Sequence, residues 1–417
     1  MRLRKPQGTE DILPEQIPIW RYVEDTVHSV FERYGYSEIR TPVMEFYSVF
    51  NRSVGEATDI VEKEMYLIRS KGESNDDKDL IALRPELTAP IVRAYLENNF
   101  DKNKIFQKLY YFGPLFRHDR PQKGRLRQFH QIGVEALGSY DALLDVEVID
   151  MAMSFLESLG INDSQLNINS MGCPECRKAY GEAIRKQLSK SLNELCENCQ
   201  RRFDKNIFRI LDCKDKKCYE VTSYLEPLDK YLCQSCKEHF EKVQKGLNDN
   251  KIVYRLDKHL VRGFDYYTKT VFEITHSSLG AQNALGGGGR YDNLIEQFDG
   301  PATGAVGFAM GVERIIEVIK KEISHTGPTV YVVVTDESLK PEVFKVVRDL
   351  RRHSISADMD YEAKSLKAQF RNADRLKAKF VAIIGQDELA KESIKLKEMK
   401  SGVEQTIKLT SLIESIK

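Results

Sequence analysis

YYFGPLFRHDRPQKGRLRQFHQIGVEALG, residues Tyr110–Gly138, is the stretch whose reading decides the fold. Two runs rich in aromatic and β-branched residues, Tyr110–Arg117 and Gln128–Gly138, flank a loop of roughly ten residues, and both favour strands. The stretch therefore predicts a long antiparallel hairpin. Its loop exceeds the two to about five residues of an ordinary hairpin turn. The loop carries Arg117, Arg120, Lys123, Arg125 and Arg127 against a single acid, Asp119. A tight turn does not need that charge, so the loop reads as a grip for polyanions. The plainer reading is a surface ribbon with a solvated basic tip. Strand side chains alternate faces, so Phe129, Gln131, Gly133 and Glu135 share one face and His130, Ile132, Val134 and Ala136 take the other. An amide and a carboxylate either side of a glycine are costly to bury without partners. That face predicts the floor of a polar pocket with room for a small ligand.

Working outward, a chain of 417 residues predicts two or three domains. Composition is ordinary for a globular protein, 41% hydrophobic and 30% charged, and the formal net charge is zero. Any nucleic-acid contact must then come from local basic patches. No run approaches the roughly 18 apolar residues of a membrane span. The start, MRLRKPQGTEDILP, has no apolar core of a secretory signal, and the expectation is a cytoplasmic protein with no membrane partner.

Helical spacing of Val23, Val27, Val30 and Phe31 predicts a helix over Ile17–Tyr34, ended by Gly35. YSEIRTPV, Tyr36–Val43, reads as a strand interrupted by Pro42. Glu62–Arg69 and Leu80–Leu83 read as a hairpin around a polar loop, Ser70–Asp79. In Arg84-Pro85-Glu86-Leu87-Thr88-Ala89-Pro90 the prolines stiffen the segment and limit helix. Its acid and hydroxyl either face one pocket or cap a helix. Ala142–Leu159 is a predicted helix and Asn167–Ser170 a strand. Arg262-Gly263-Phe264-Asp265-Tyr266-Tyr267-Thr268, ahead of a strand at Val271–Thr275, offers either a cation with hydroxyls or an aromatic core segment. Gly286–Gly289 before Arg290-Tyr291-Asp292 is either a flexible turn or backbone that approaches a ligand. It is not a P-loop. Val312, Ile315, Ile316 and Ile319 predict a helix from about Gly311. Arg314 would sit in its first turn, against the dipole, so an anionic partner is expected. After a polar linker, Lys320–Pro328, strands and helices alternate as in a small α/β domain.

Three of these stretches resemble the signature motifs of the class II aminoacyl-tRNA synthetases. The helix and strand ending in proline resemble the first, which builds a dimer interface. Phe116-Arg117, a variable loop and the acid-bearing strand resemble the second. Gly304–Arg314 resembles the third, whose arginine binds ATP phosphates. FRHDRPQKGRLRQFHQIGVEALG, PQGTEDILP, Arg-Pro-Glu-x-Thr, RGFDYYT and the glycine run with Arg-Tyr-Asp are similar to the histidyl-tRNA synthetase family in particular. Many relatives carry glycine where this chain has Leu87.

The resemblance implies an α+β catalytic domain on an antiparallel sheet, residues 1–170 and 251–325. It implies a helical cysteine-rich insertion over 171–250 and a C-terminal α/β anticodon-binding domain over 329–417. It implies a homodimer that activates L-histidine with ATP and Mg2+ and passes it to the 3′ end of tRNA(His). Arg262 and Arg117 would be catalytic at the α-phosphate. Glu86, Thr88, Arg117, Gln131, Glu135, Arg262, Tyr266 and Tyr267 would hold histidine. Arg117, Arg125, Glu135 and Arg314 would hold ATP, with magnesium near Glu135 or a neighbouring acid. Arg120 and Gln122 would meet tRNA. The alternative is a catalytically inactive paralogue that regulates histidine biosynthesis. Such proteins tend to lose the histidyl signature and the C-terminal domain, and both are intact here.

All eight cysteines fall in four close pairs: Cys173/Cys176, Cys196/Cys199, Cys213/Cys218 and Cys233/Cys236. Structural zinc is commonly held by two such pairs, and four pairs suffice for two Zn2+ sites. Reduced buried thiols are the plainer reading, and spacing does not say which pairs combine. Zinc here is expected to hold the insertion. Its loss should weaken tRNA charging and spare histidine activation.

Overall fold

The computed structural model describes residues 3–54, 64–69, 80–102, 106–119, 124–213, 215–280, 282–323, 327–362 and 364–416. The polar loop Ser70–Asp79 and the tip residues Arg120, Gln122 and Lys123 lie outside them. The chain forms two compact units, Met1–Leu13 with Ile19–Glu322, and Pro14–Pro18 with Ile323–Lys417.

In the first unit, helix α1 (Ile17–Arg33) buries Val23, Val27, Val30 and Phe31 along one stripe. Gly35 at φ +80° ends it in the left-handed region. Strands β1 (Ser37–Glu38) and β2 (Met44–Phe46), helix α2 (Tyr47–Val54), strands β3 (Tyr66–Ile68) and β4 (Ile81–Leu83), and helix α3 (Thr88–Glu97) follow. Next come the long strands β5 (Gln107–Phe116) and β6 (Gln128–Leu137), the helix α4 (Ala142–Ser158) and β7 (Gln165–Ser170). Then the chain turns helical: α5 (Pro174–Leu188), α6 (Glu197–Lys205), α7 (Lys216–Ser223) and α8 (Gln234–Asp249). Strands β8 (Arg255–Leu256), β9 (Thr268–Thr275) and β10 (Ala284–Arg290), helix α9 (Leu294–Gln297), strand β11 (Ala305–Gly311) and helix α10 (Val312–Val318) complete it.

The expected hairpin is β5 with β6, antiparallel from Gln107↔Leu137 to Phe116↔Gln128. It is part of an eight-stranded sheet of order β1-β5-β6-β11-β10-β9-β7-β8. Its inner pairings are antiparallel, and only β1 and β8 lie parallel to their neighbours. The alternation along β6 sorts side chains as the pattern requires. Ile132, Val134 and Ala136 join α1 and α4 in one core, while Phe129, Gln131 and Glu135 line a cleft on the opposite face. Burying each large apolar side chain in that core contributes about 1.5–3 kcal/mol.

Two local expectations change. The prolines do not keep Arg84–Pro90 out of helix, because α3 starts at Thr88 and Pro90 falls in its first turn. There a missing N–H breaks no intrahelical bond. Gly286–Gly289 is not a flexible turn, and Gly286 and Gly287 bring backbone to the cleft described below. The run is the middle of β10, paired on both sides. A Cβ on Gly288 would sit 2.0 Å from the Gly307 carbonyl oxygen and one on Gly286 2.4 Å from that of Ala309. These glycines let backbones close on each other, and their N–H groups go to the sheet.

The second unit is a five-stranded sheet of order β13-β12-β14-β15-β16. It comprises β12 (Val330–Val334), α11 (Lys340–Arg352), β13 (Ala357–Met359), α12 (Leu366–Arg375), β14 (Phe380–Ile384), α13 (Gln386–Ala390), β15 (Ser393–Glu398), β16 (Glu404–Lys408) and α14 (Leu412–Ile416). Strand β12, VYVVV, is buried throughout, because Val330, Val332 and Val334 pack on α11 while Tyr331 and Val333 pack against Ala373 of α12. Coverage on both faces explains the unbroken apolar run.

Candidate active site

A cleft of about 1650 Å³ opens over the free face of β6, β11, β10 and β9 in the first unit. Glu86, Thr88, Arg117, Arg125, Gln131, Glu135, Arg262, Tyr266, Tyr267 and Arg314 all line it. Chain segments far apart in sequence are brought together by the sheet order, which sets β6 beside β11 and β11 beside β10.

One end is acidic and built from hydroxyls. The Glu135 carboxylate is buried. It accepts from Thr88 Oγ1 at 2.7 Å and from the Tyr291 hydroxyl, with Tyr111 adding a third donor. Burial outweighs those donors and pushes its pKa up to about 8. Glu86 accepts from the backbone N–H of Thr88 at 2.7 Å and of Ala89 at 2.9 Å. It both caps α3 and lines the cleft, so the two readings of Arg84–Pro90 are one arrangement. Burial raises its pKa to about 6, against the pull of those N–H groups and of Arg117. Gly133 does not leave space for a ligand. A Cβ there would lie 2.3 Å from the Tyr111 hydroxyl and 2.3 Å from the Phe308 carbonyl oxygen. The missing side chain admits the tyrosine that holds Glu135.

The aromatic wall comes from the 262–268 segment. Phe264 stacks on Tyr266 with centroids 5.2 Å apart, and Tyr266 meets Tyr267 at 4.7 Å and Tyr291 at 5.6 Å. Arg262 donates from Nη1 to Glu273 Oε1 at 2.7 Å. Its buried Nε has no hydrogen-bond partner among the described residues. Gly287 gives it room, since a Cβ there would come within 3.0 Å of Nη1.

The other end is cationic. Arg314 donates from Nη1 to the Ala284 carbonyl at 2.7 Å and from Nη2 to that of Gly124 at 3.1 Å. Burial lowers its pKa and the nearby Arg125 lowers it further, against Glu273 and Glu317. Arg125 reaches Asp119 at 3.1 Å. Arg117 donates to the Pro85 carbonyl at 2.8 Å and lies over the Phe129 ring at 5.3 Å. Burial pulls its pKa down, with Glu64 and Glu86 opposing. Arg127, counted among the loop cations, turns elsewhere: its backbone N–H donates to the Gly8 carbonyl at 2.7 Å and its side chain packs under Gly8.

The sequence reading missed the network behind the cleft. Arg290 is fully buried. It donates to Asp145 Oδ1 at 2.6 Å, Asp292 Oδ1 at 3.0 Å and the Ser139 and Asp141 carbonyls. Asp145 also accepts from Thr270 at 2.8 Å and pairs with His239 Nε2 at 2.6 Å. His239 is on α8, so this network ties the cysteine-bearing helices to the sheet. A buried arginine beside Tyr291 was the available signal, but its partners are visible only in three dimensions.

The cysteines gather as Cys173, Cys176, Cys233 and Cys236, and as Cys196, Cys199, Cys213 and Cys218, with all sulfurs of a group within 4.8 Å of one another. Cys196 and Cys213 line the cleft itself. The cysteine-bearing segment therefore forms part of the cleft wall, which bears on the expectation that losing zinc would spare histidine activation.

An antiparallel sheet with parallel edges, an arginine at the end of β5, and a second arginine opening the helix after β11 are what the resemblance to the class II aminoacyl-tRNA synthetases implies. Residues 8–315 match the family description Histidyl-tRNA synthetase, and residues 329–417 match Anticodon binding domain. The chain is 47% identical over 413 residues to the histidine–tRNA ligase of Thermodesulfovibrio yellowstonii, covering 99% of this chain and 97% of that protein. Identity to the histidine–tRNA ligase of Pelotomaculum thermopropionicum is 44% over 421 residues, covering 100% and 98%. The crystal structure of apo S. aureus histidyl-tRNA synthetase superposes with a TM-score of 0.82 at 36% identity over 100% of both chains. The chain belongs to the histidyl-tRNA synthetase family.

Proposed function

We propose that this chain is a histidine–tRNA ligase which activates L-histidine with ATP and transfers the histidyl group to the 3′ end of tRNA(His). The observation that carries the reading is the polarity of one cleft. Its electrostatic neighbours run from Glu135 through Tyr267 to Arg262, then Glu273, Arg314 and Arg125. An amino acid with its ammonium at the acidic end presents its carboxylate toward Arg262. ATP phosphates then lie toward Arg314 and Arg125.

In the reaction a carboxylate oxygen of histidine attacks the α-phosphorus, the bond to pyrophosphate breaks, and histidyl-adenylate forms. Charge grows on the α-phosphate and the leaving group, so catalysis is positioning and electrostatic stabilisation. Arg262 and Arg117 are assigned to the α-phosphate. Arg262 lines the cleft, and its bond from Nη1 to Glu273 at 2.7 Å holds the guanidinium in place. Arg314 and Arg125 are assigned to the outer phosphates. Glu86, Thr88, Tyr266 and Tyr267 receive the ammonium and wall the imidazole, with Gln131 beside them. A site that pairs the ring nitrogens rejects analogues lacking them.

Magnesium in such sites is held largely by substrate phosphates and a few carboxylates. Glu273 and Glu317, the acids near Arg314, fit that role. Glu135 is assigned to histidine alone, since hydroxyls engage both its oxygens. Structural zinc at the eight cysteines belongs to the same proposal. So do a homodimer built through the first signature motif, tRNA contacts by Arg120 and Gln122, a cytoplasmic location, and the division into 1–170, 171–250, 251–325 and 329–417. The regulatory alternative is disfavoured by the intact 262–268 segment and by the C-terminal unit. Histidine-dependent exchange of pyrophosphate into ATP tests the reading. Exchange with histidine and no other amino acid is expected, and a protein without it is not this enzyme.

A further inference from the structure

We infer that the eight cysteines form two structural tetrathiolate zinc sites, paired as Cys173/Cys176 with Cys233/Cys236 and Cys196/Cys199 with Cys213/Cys218, and that these sites brace the Arg262–Tyr267 segment. Four sulfurs around zinc at about 2.3 Å in a tetrahedron stand about 3.8 Å apart. Cys196 and Cys213 sulfurs are 3.8 Å apart, and those of Cys173 and Cys176 3.5 Å. These are too long for disulfides, and the cysteines are free.

The surroundings suit thiolates independently of the spacing. Cys173, Cys196 and Cys233 are the N-cap residues of α5, α6 and α8, with Cys176, Cys199 and Cys236 in the first turn of each. Helix N-termini favour negative charge. The first group therefore receives two helix starts. In each group a backbone N–H already donates to sulfur: Cys233 N to Cys176 Sγ and Cys196 N to Cys218 Sγ, both at 3.1 Å. Gly172, at φ +64°, permits the approach, since a Cβ there would lie 2.5 Å from the Cys176 Cβ. Cys176, Cys199, Cys218 and Cys236 are buried.

Beside each group a side chain reaches the Arg262–Tyr267 segment. Arg177, next to Cys176, donates from Nη1 to the Asp265 carbonyl at 2.7 Å. Asn206 and Arg209 lie in the loop between Cys199 and Cys213. Asn206 donates to Asp265 Oδ1 at 2.7 Å, and Arg209 donates to the Gly263 carbonyl at 3.1 Å. The Arg262–Tyr267 segment is thus gripped from two metal-closed loops. Arg177, Asn206 and Arg209 are positioning residues. This bracing rests on the proposed role of Arg262, Tyr266 and Tyr267 in activation. A displacement near 1 Å at such a site costs roughly 10²-fold in rate.

The test begins with the full chain, purified under reducing conditions without chelator. Two zinc ions per chain are expected, with one lost in Cys173→Ser/Cys176→Ser and one in Cys196→Ser/Cys199→Ser. Replacement by Co2+ should give the intense visible bands of tetrahedral thiolate cobalt. Because the serine variants can misfold, the decisive arm uses the unmutated enzyme. Zinc is stripped with a chelator, folding is followed by circular dichroism, and zinc is restored. Histidine-dependent exchange should fall roughly 10²-fold in kcat/KM and recover on re-addition. Arg209→Ala should raise KM for histidine with zinc content unchanged, and Arg209→Lys should recover part of it. No zinc with eight titratable thiols, or disulfides in their place, overturns the sites. Two zincs whose removal leaves exchange unaltered overturns the bracing. A zinc-loaded protein with no exchange at all overturns the functional reading instead and leaves the zinc count standing.

Discussion

The two ends of the cleft treat charge in opposite ways. At the acidic end Glu86 and Glu135 are buried and their pKa values rise to about 6 and about 8. Hydroxyls and N–H groups satisfy their oxygens, but no cationic side chain pairs with Glu135 among its described hydrogen bonds. At the basic end Arg314 is held by two carbonyl oxygens beside another cation. Each end is satisfied in hydrogen bonds and strained in charge. Arg117 near Glu86 and Asp119 on Arg125 offset part of this charge, and a zwitterionic amino acid with a polyphosphate supplies further counter-charge at each end in the right order. Polar preorganisation of this kind is expected where a transition state develops charge.

Removing the cation between the two ends should do the most damage. Arg262→Ala is expected to lower histidine-dependent exchange by on the order of 10²–10³ with thermal stability little changed. Among the described residues the side chain makes one ion pair, to Glu273, and it lines the cleft. Exchange within a few-fold of the parent enzyme would show that the ends work without it. The acidic end should respond differently. Glu86→Gln keeps one acceptor oxygen for the two α3 N–H groups, sets an amide NH2 against the other and removes a charge. Hydrogen bonds to charged groups are worth about 1.5–3 kcal/mol, so KM for histidine should rise roughly ten- to hundredfold with KM for ATP unmoved. Equal rises in both would mean that the two ends are one electrostatic site.

The same contrast shows what a sequence can carry. Alternation along Gln128–Gly138 placed Gln131 and Glu135 on one face and the core residues on the other, because strand periodicity is local. Helix α10 was legible from apolar spacing for the same reason. Where tertiary contact decides, the pattern misled or fell silent. Gly133 looked like vacant space, but the vacancy belongs to Tyr111. Gly286–Gly289 looked like a loop, but it is a strand squeezed between two others. Strands β15 (SIKLKE) and β16 (EQTIK) hold three apolar residues between them, none adjacent to another, so no apolar run announced them. Arg290 draws partners from Ser139, Asp141, Asp145 and Asp292, a set no spacing rule gathers. The cysteine pairs were legible as pairs, and their combination was not. Arg120 and Gln122 lie outside the described residues and stay as proposed.

The smallest effect tests the acidic end most directly. A folded-state carboxyl at about 8 compares with about 4.3 in an unfolded chain. The folded state therefore binds the proton more tightly, and this group's contribution is fully present below about pH 4. It is lost as pH rises through the folded value, so the free enzyme should lose stability from about pH 4 to pH 8. Glu86 contributes in the same direction, but its window closes near 6. Between pH 6 and 8 the slope belongs to Glu135 alone of the two. Glu135→Gln is neutral throughout and should flatten it. One group can contribute at most ~1.4 kcal/mol per pH unit, which is on the order of 2 °C in Tm. Saturating histidine should flatten the slope in the parent enzyme as well, because its ammonium favours the ionised carboxylate. Calorimetry across that range, with and without histidine, separates the cases. A slope that survives in Glu135→Gln would mean that the carboxyl is not held up by burial. A slope that histidine leaves untouched would place the ammonium elsewhere, and the polarity of the cleft would have to be reversed.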